Sequence, residues 1–251
     1  MFPYKDDNPT VLTPFVTVAI IVLTSLVWLV FQSGGAEPRL GQSICDLGAI
    51  PARLFGNPSE PVLTPRGPVQ ICAGAIGGAW HTLVSSVFLH GGWFHLLGNM
   101  WFFWVFGNNI EDAMGHGRFV VFYLACGVLA ALAHVFAEPS SPVPMVGASG
   151  AISGIMGAYL VLYPRVRVHT LVVLGFFITT LSLPAYFMLL YWAVLQLAGA
   201  ALQSSGGVAF MAHVGGFVAG VVLIRLFTKP DLLAAARRQP QVFTTHQPWR
   251  S

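Results

Sequence analysis

Long apolar runs recur along this chain, and charged residues scarcely enter them. The first run, Val11 to Phe31, contains none at all. In a bilayer the backbone must satisfy its own N–H and C=O groups, and a helix of about 20 apolar residues does this across the hydrocarbon. Further runs lie at about Trp93–Met114, Phe119–Ala137, Gly147–Tyr163 and Val208–Phe227. Only 8% of the residues are charged, against roughly 25% in a soluble domain. The expected fold class is therefore an all-α polytopic membrane protein with the lipid bilayer as its partner. The net charge of +3 is not gathered into a basic patch, so nucleic acid is not an expected partner. Met1 to Thr10 holds Lys5, Asp6 and Asp7 and lacks the layout of a cleaved signal peptide.

The stretch Val168 to Leu202 admits two readings, divided at Pro184. It makes two short spans, or one span preceded by an interfacial piece. The basic residues decide between them. With one span, from about Leu183 to Leu202, the chain has six spans and both termini share a side. That side then holds Lys5, Arg118, Arg165, Arg167, Arg225, Lys229, Arg237, Arg238 and Arg250, and the other holds only Arg39, Arg53 and Arg66. This asymmetry follows the positive-inside bias with cytoplasmic termini. The expected organisation is a cytoplasmic segment 1–10, a six-span membrane domain 11–227 with a long outer loop at about 32–92, and a cytoplasmic tail 228–251. So long a loop is expected to carry substructure. Its amphipathic part, Trp80 to Leu89, reads as an interfacial helix. Cys45 and Cys72 share the loop and can pair if it faces an oxidising compartment, although spacing alone does not fix this. Cys126 reads as a packing residue.

Six spans also bring the polar residues of the apolar runs to one depth. His95 and Asn99 lie in the first two turns of span two, Ser149 opens span four, and His213 lies two turns into span six. His95 and Asn99 are four apart and share a helix face. Gly150-x-x-x-Gly154 and Gly216-x-x-x-Gly220 are close-packing patterns that can bring Ser149 to His213. A serine hydroxyl becomes a nucleophile when a base such as histidine takes its proton. The oxyanion so formed needs donors, and the Ser149 N–H, His95 and Asn99 are candidates. No Asp or Glu is expected within a span, Glu111 and Asp112 being placed in the polar link to Arg118. The pair is thus a dyad, not a triad. Taken singly, these residues have plainer readings. Small-residue helix starts pack helices together, a lone membrane histidine is often an interior hydrogen-bonding group, Asn99 can be interhelical glue, and Ser153 can bond a backbone carbonyl. Intramembrane ionisable groups nevertheless default to functional hypotheses. A rival metal constellation, His81, His90 and His95, lacks a His-Glu-x-x-His motif and nearby carboxylates. No metal or cofactor is expected. A small-solute transporter would show two similar halves with broken helices, a pattern not found in this sequence.

At these residues the chain resembles the rhomboid family of intramembrane serine proteases in its bacterial six-span form. The resemblance is carried by His95-Leu96-Leu97-Gly98-Asn99, by Gly147-Ala148-Ser149-Gly150, and by Ala212-His213-Val214-Gly215-Gly216-Phe217-Val218-Ala219-Gly220. It runs from about Pro51 to Phe227. It implies a six-transmembrane-helix bundle with Ser149 as nucleophile and His213 as general base. It implies an oxyanion hole from the Ser149 N–H, His95 and Asn99, supported by Gly147, Gly150, His90, Gly216 and Gly220. It further implies transmembrane protein substrates cleaved near the outer surface of a bacterial inner membrane. Ser204 to Met211 is similar to the family's mobile cap, with Phe210 and Met211 as plugs. The alternative is a non-catalytic rhomboid-like binder, but such members usually lose the serine or the histidine and this chain keeps both. Two positions depart from the family pattern. Trp80-His81 stands where many members have Trp-Arg, and Ser153 stands where some place an aromatic ring against the catalytic histidine.

Overall fold

The computed structural model describes residues 2–56, 62–64, 67–69, 72, 79–174, 177–202 and 209–238. Strand β1 (Phe2–Asp6) precedes helix α1 (Phe15–Leu26), which continues as a π-turn over Val27–Phe31. The long connection then carries α2 (Arg39–Leu47), α3 (Pro51–Leu54), strands β2 (Val62–Thr64) and β3 (Gly67–Val69), and the short helix α4 (Thr82–Ser85). Helices α5 (Trp93–Met114) and α6 (His116–Ala137) are joined by Gly115 alone, at φ 80°. Helix α7 (Ser149–Leu162) leads to strands β4 (Arg167–Leu174) and β5 (Phe177–Pro184). Helices α8 (Ala185–Ala201), α9 (Phe210–Phe227) and α10 (Pro230–Arg238) complete the described chain.

Helix α7 is the axis of the bundle. It packs against α5, α6, α8 and α9, and every residue from Gly150 to Tyr159 is buried. Ile155, Met156 and Tyr159 of α7 and, around it, Phe103, Phe106, Phe119, Phe122 and Tyr123 are almost fully buried. The outward faces are apolar too. Val18, Val22 and Leu26 on α1 and Phe187, Leu190 and Val194 on α8 are all exposed, as a lipid-facing surface requires. Helices α6 and α9 are long and apolar enough to cross a membrane; α1 with its π-turn, α7 and α8 are apolar but shorter.

The protein is mostly helical but not all-α, which corrects one expectation. Strands β4 and β5 pair antiparallel, and β1 adds to their edge in the order β1-β4-β5. Two features favour strands there. The segment is rich in β-branched residues, from Val168 to Thr180, and β1 supplies a partner for its edge. Pro184 sits at the N-cap of α8, so this stretch contributes one helix. The loop between Phe31 and Trp93 is tied together by a Cys45–Cys72 disulfide, with Cα atoms 5.1 Å apart. Arg53 donates to the carbonyls of both cysteines. The Trp80–Leu89 stretch forms two short helical turns that bury Leu83, Val87 and Leu89 and expose Trp80 and Val84. His81 is exposed, and the loop is held instead by Ser85 on the Leu47 carbonyl and by paired backbone bonds between Ala49 and Met145.

A second correction concerns Glu111 and Asp112. They belong to the last turn of α5, not to a polar link, and both are buried. Glu111 accepts the backbone N–H groups of Val16 and Thr17, the Thr17 hydroxyl, and a bond with His116. Asp112 accepts the N–H groups of Val11 and Leu12. The first N–H groups of a helix have no partner within it, and a carboxylate there also meets the positive end of the helix dipole. At the same end of the bundle Asp6 accepts the Tyr159 hydroxyl at 2.5 Å and the Asn109 amide at 2.8 Å.

Burial pushes the Asp6 carboxyl up to about 7, against the lowering effect of its Tyr159 bond. The folded state therefore holds this proton at mildly acid pH, where the unfolded chain has lost it. Its stabilising contribution is complete below about pH 4 and is lost as pH rises through about 7. In thermal melts in detergent, the midpoint of the wild type should fall between pH 5 and pH 8 by more than that of Asp6→Asn. Equal slopes would refute the assignment.

Candidate active site

The end of the bundle that begins α7 holds the polar residues picked out from the sequence. Gly147 has φ 123°, a region that glycine tolerates, and its N–H donates to the Ser86 carbonyl. The chain turns there and starts α7 at Ser149. This places the Ser149 hydroxyl at the mouth of the bundle and its N–H among the free donors of a helix start.

Glycine decides how close the neighbouring helix comes. A Cβ at Gly216 would overlap the Gly150 carbonyl, and one at Gly220 would overlap the Gly154 carbonyl. On the α7 side, a Cβ at Gly157 would meet the Phe217 carbonyl. Helices α7 and α9 are therefore in backbone contact. That approach puts His213 Nε2 2.8 Å from Ser149 Oγ. Gly150 faces Ala130 of α6, where a Cβ would lie 2.7 Å from the alanine methyl.

His95 and Asn99 arrive from α5. The Gly91 N–H donates to His95 Nδ1 at 3.3 Å. In a neutral ring the proton then sits on Nε2. That nitrogen lies over Gly147: a Cβ built there would be 2.7 Å from His95 Nε2 and 3.7 Å from Ser149 Oγ. A donor thus faces the serine from the α5 side. Asn99 is buried, and its side-chain amide donates to the His95 carbonyl at 2.9 Å. The amide nitrogen carries a second N–H for another acceptor.

His90 is fully buried, its ring edge-on to His95 with centroids 5.0 Å apart. Its backbone is clamped by Gln32, which accepts the His90 N–H and donates to the His90 carbonyl, each at 2.9 Å. Ser153 donates to the Ser149 carbonyl at 2.6 Å. The aromatic neighbour of His213 is Trp192 of α8, with ring centroids 5.8 Å apart. Gln196, also on α8, lies with Oε1 2.7 Å from His213 Nδ1. Gln32, Trp192 and Gln196 were missed in the sequence. A lone polar residue inside an apolar helix, as Gln196 is, was the available signal. Phe210 packs its ring on Gly199 at the start of α9. Of the expected cap, Ser204 to Met211, residues 204–208 lie outside the described residues. Among the described residues no group of three His, Cys, Asp or Glu side chains could hold a metal ion.

A family profile described as the Rhomboid domain matches residues 77–230, more than half of the chain. The chain belongs to the rhomboid family. This family is membrane-embedded and multi-pass. Among its relatives the Bacillus subtilis rhomboid protein YdcA is 34% identical over 118 residues, which is 47% of this chain and 59% of that protein. The rhomboid protease GluP of Bacillus subtilis is 43% identical over 84 residues, 33% of this chain and 16% of GluP. Rhomboid-like protein 11 of Arabidopsis thaliana chloroplasts is 30% identical over 154 residues, 60% of this chain and 54% of that protein. The chain thus spans less than two thirds of the length of each of these relatives.

In this rhomboid protein the α7–α9 contact can be tested by adding one methyl group. Gly220→Ala should cost about 1–3 kcal/mol by overpacking. Gly117→Ala, where a Cβ meets nothing, should be neutral or stabilising by about 0.5–1 kcal/mol. Unfolding in mixed micelles measures both, and equal effects would show that α7 and α9 are not in backbone contact.

Proposed function

We propose that this protein is an intramembrane serine endopeptidase that cleaves transmembrane segments of other membrane proteins. The observation that carries this reading is the 2.8 Å approach of His213 Nε2 to Ser149 Oγ at a helix start. His213 takes the hydroxyl proton as Ser149 Oγ bonds to the scissile carbonyl carbon. The carbonyl oxygen becomes an oxyanion, met by the Ser149 N–H, His95 Nε2–H and the Asn99 amide. The oxyanion collapses, the C–N bond breaks, and the leaving amine takes the proton from His213. Water then attacks the acyl-serine with His213 again as base, releasing the carboxylate product and restoring the hydroxyl. No metal or cofactor is needed for any step.

The same reading places six membrane-spanning segments at α1, α5, α6, α7, α8 and α9. It puts both termini in the cytoplasm of a cell with the protein in its inner membrane, and Ser149 near the outer surface. Two observations support this orientation. The Cys45–Cys72 disulfide lies in the loop at the Ser149 end, and disulfides persist on an oxidising side. Arg165 just before β4, Arg167 on β4, and Arg237 and Arg238 on α10 lie at the opposite end. A substrate with a small residue before the scissile bond and a locally unstable helix fits a nucleophile recessed beside buried helices.

Ser149→Ala should lower cleavage of a reporter transmembrane substrate in proteoliposomes by at least about 1000-fold. A fluorophosphonate should label the wild type and not this variant. Cleavage undiminished in Ser149→Ala would end the proposal. Because the base must be neutral, the rate should fall on the acid side, and a flat profile from pH 5 to 8 would argue against His213 in this role. Asn99→Ala should lower kcat by about 100-fold with KM little changed. A change confined to KM would place Asn99 in substrate binding instead.

A further inference from the structure

We infer that Gln196 is a positioning residue of the dyad, the neutral counterpart of the carboxylate that a triad would use. The inference rests on the serine-protease reading above and assigns a role within that same site.

Each ring nitrogen of His213 has one partner. Nε2 meets Ser149 Oγ at 2.8 Å and Nδ1 meets Gln196 Oε1 at 2.7 Å. An amide oxygen can only accept, so Nδ1 must carry the proton. In the neutral ring Nε2 is then bare and accepts from the Ser149 hydroxyl, which is the tautomer a general base requires. The opposite tautomer would present Nε2–H to the serine and could not take its proton. Gln196 thus selects the competent ring state before substrate arrives.

The surroundings leave this task to Gln196. The titratable groups that face His213 are His95 from α5 and His134 from α6. Helix α7 presents the Ser149 hydroxyl and α8 presents Trp192 besides Gln196. No Asp or Glu among the described residues bonds to the ring. A carboxylate facing an apolar membrane helix would be expensive to keep ionised, whereas an amide fixes the same tautomer with no charge to bury. The bond also spans two helices, since Gln196 is on α8 and His213 on α9. It therefore fixes ring orientation as well as protonation, together with the tilted Trp192 ring.

The test is the pH dependence of fluorophosphonate labelling at Ser149, on the full chain in detergent. Gln196→Leu removes the acceptor and should slow labelling about 10–100-fold, the scale on which a metal-bound histidine suffers when its orienting partner is lost, while the variant still unfolds cooperatively on heating, with a midpoint lowered by the lost bond. Gln196→Glu puts an anion opposite the ring, favours the imidazolium, and should move the acid limb up by at least one pH unit. A merely structural role would not move that limb. In proton NMR of the wild type, a hydrogen-bonded Nδ1–H of His213 should resonate downfield and vanish in Gln196→Leu. A limb that stays in place in Gln196→Glu would overturn the inference, as would an Nε2-protonated ring in the wild type. If the wild type labels at Ser149 while both variants behave like it, only this inference fails. If the wild type does not label at Ser149, the protease reading itself fails.

Discussion

Everything at the candidate site depends on two helix backbones touching. Apolar side chains gain nothing from leaving lipid for one another, so helices in a membrane associate through packing and polar contacts. Here the contact is made by glycines. Gly150 and Gly154 on α7 offer their carbonyls to the places where Gly216 and Gly220 on α9 have no side chain. A side chain at Gly216 or Gly220 would push these two helices apart, and one at Gly150 or Gly154 would press on Ala130 or Cys126 of α6. The hydrogen bond from Ser149 to His213, at 2.8 Å, survives only at that spacing. Shape therefore comes first here, and the chemistry follows from it.

The opposite end is held by a different kind of force. Glu111, Asp112 and Asp6 are carboxylates enclosed by donors: backbone N–H groups, an amide and a phenol. Each joins a segment near the N-terminus to α5 or α7. The β1-β4-β5 sheet closes the same end with main-chain bonds. The bundle is thus packed tightly along its length and pinned by polar groups at one end, while the groups around Ser149 remain partly open.

Much of this was legible in the sequence because it follows from period and residue type. Apolar runs gave the helices, and the glycine spacings gave a reason for α7 and α9 to meet. Ser149, His95, Asn99 and His213 stood out because polar groups in apolar helices are costly. What escaped notice had weaker local marks. Gln196 is polar but uncharged and lies in a run otherwise typical of lipid-facing helix. Trp192 is one of several aromatics in the same apolar run. Glu111 and Asp112 were assigned to a loop because charges usually end a span, yet the N–H groups of α1 make a helical, buried position favourable for them. The segment 167–184 is apolar enough for a membrane helix, and only its β-branched content and the edge of β1 reveal paired strands. Ser153 proves to have a local task, its hydroxyl held by the Ser149 carbonyl.

The carboxylate of Glu111 also bears on the order of assembly. Its partners at Val16 and Thr17 precede it by 95 and 94 residues. When α1 first emerges from the ribosome, its leading amides have no acceptor within the helix and none yet made elsewhere. Water satisfies them until α5 is made and brings Glu111 to them. The first helix is thus made early but seated late, because its leading amides gain this acceptor only once α5 is in place.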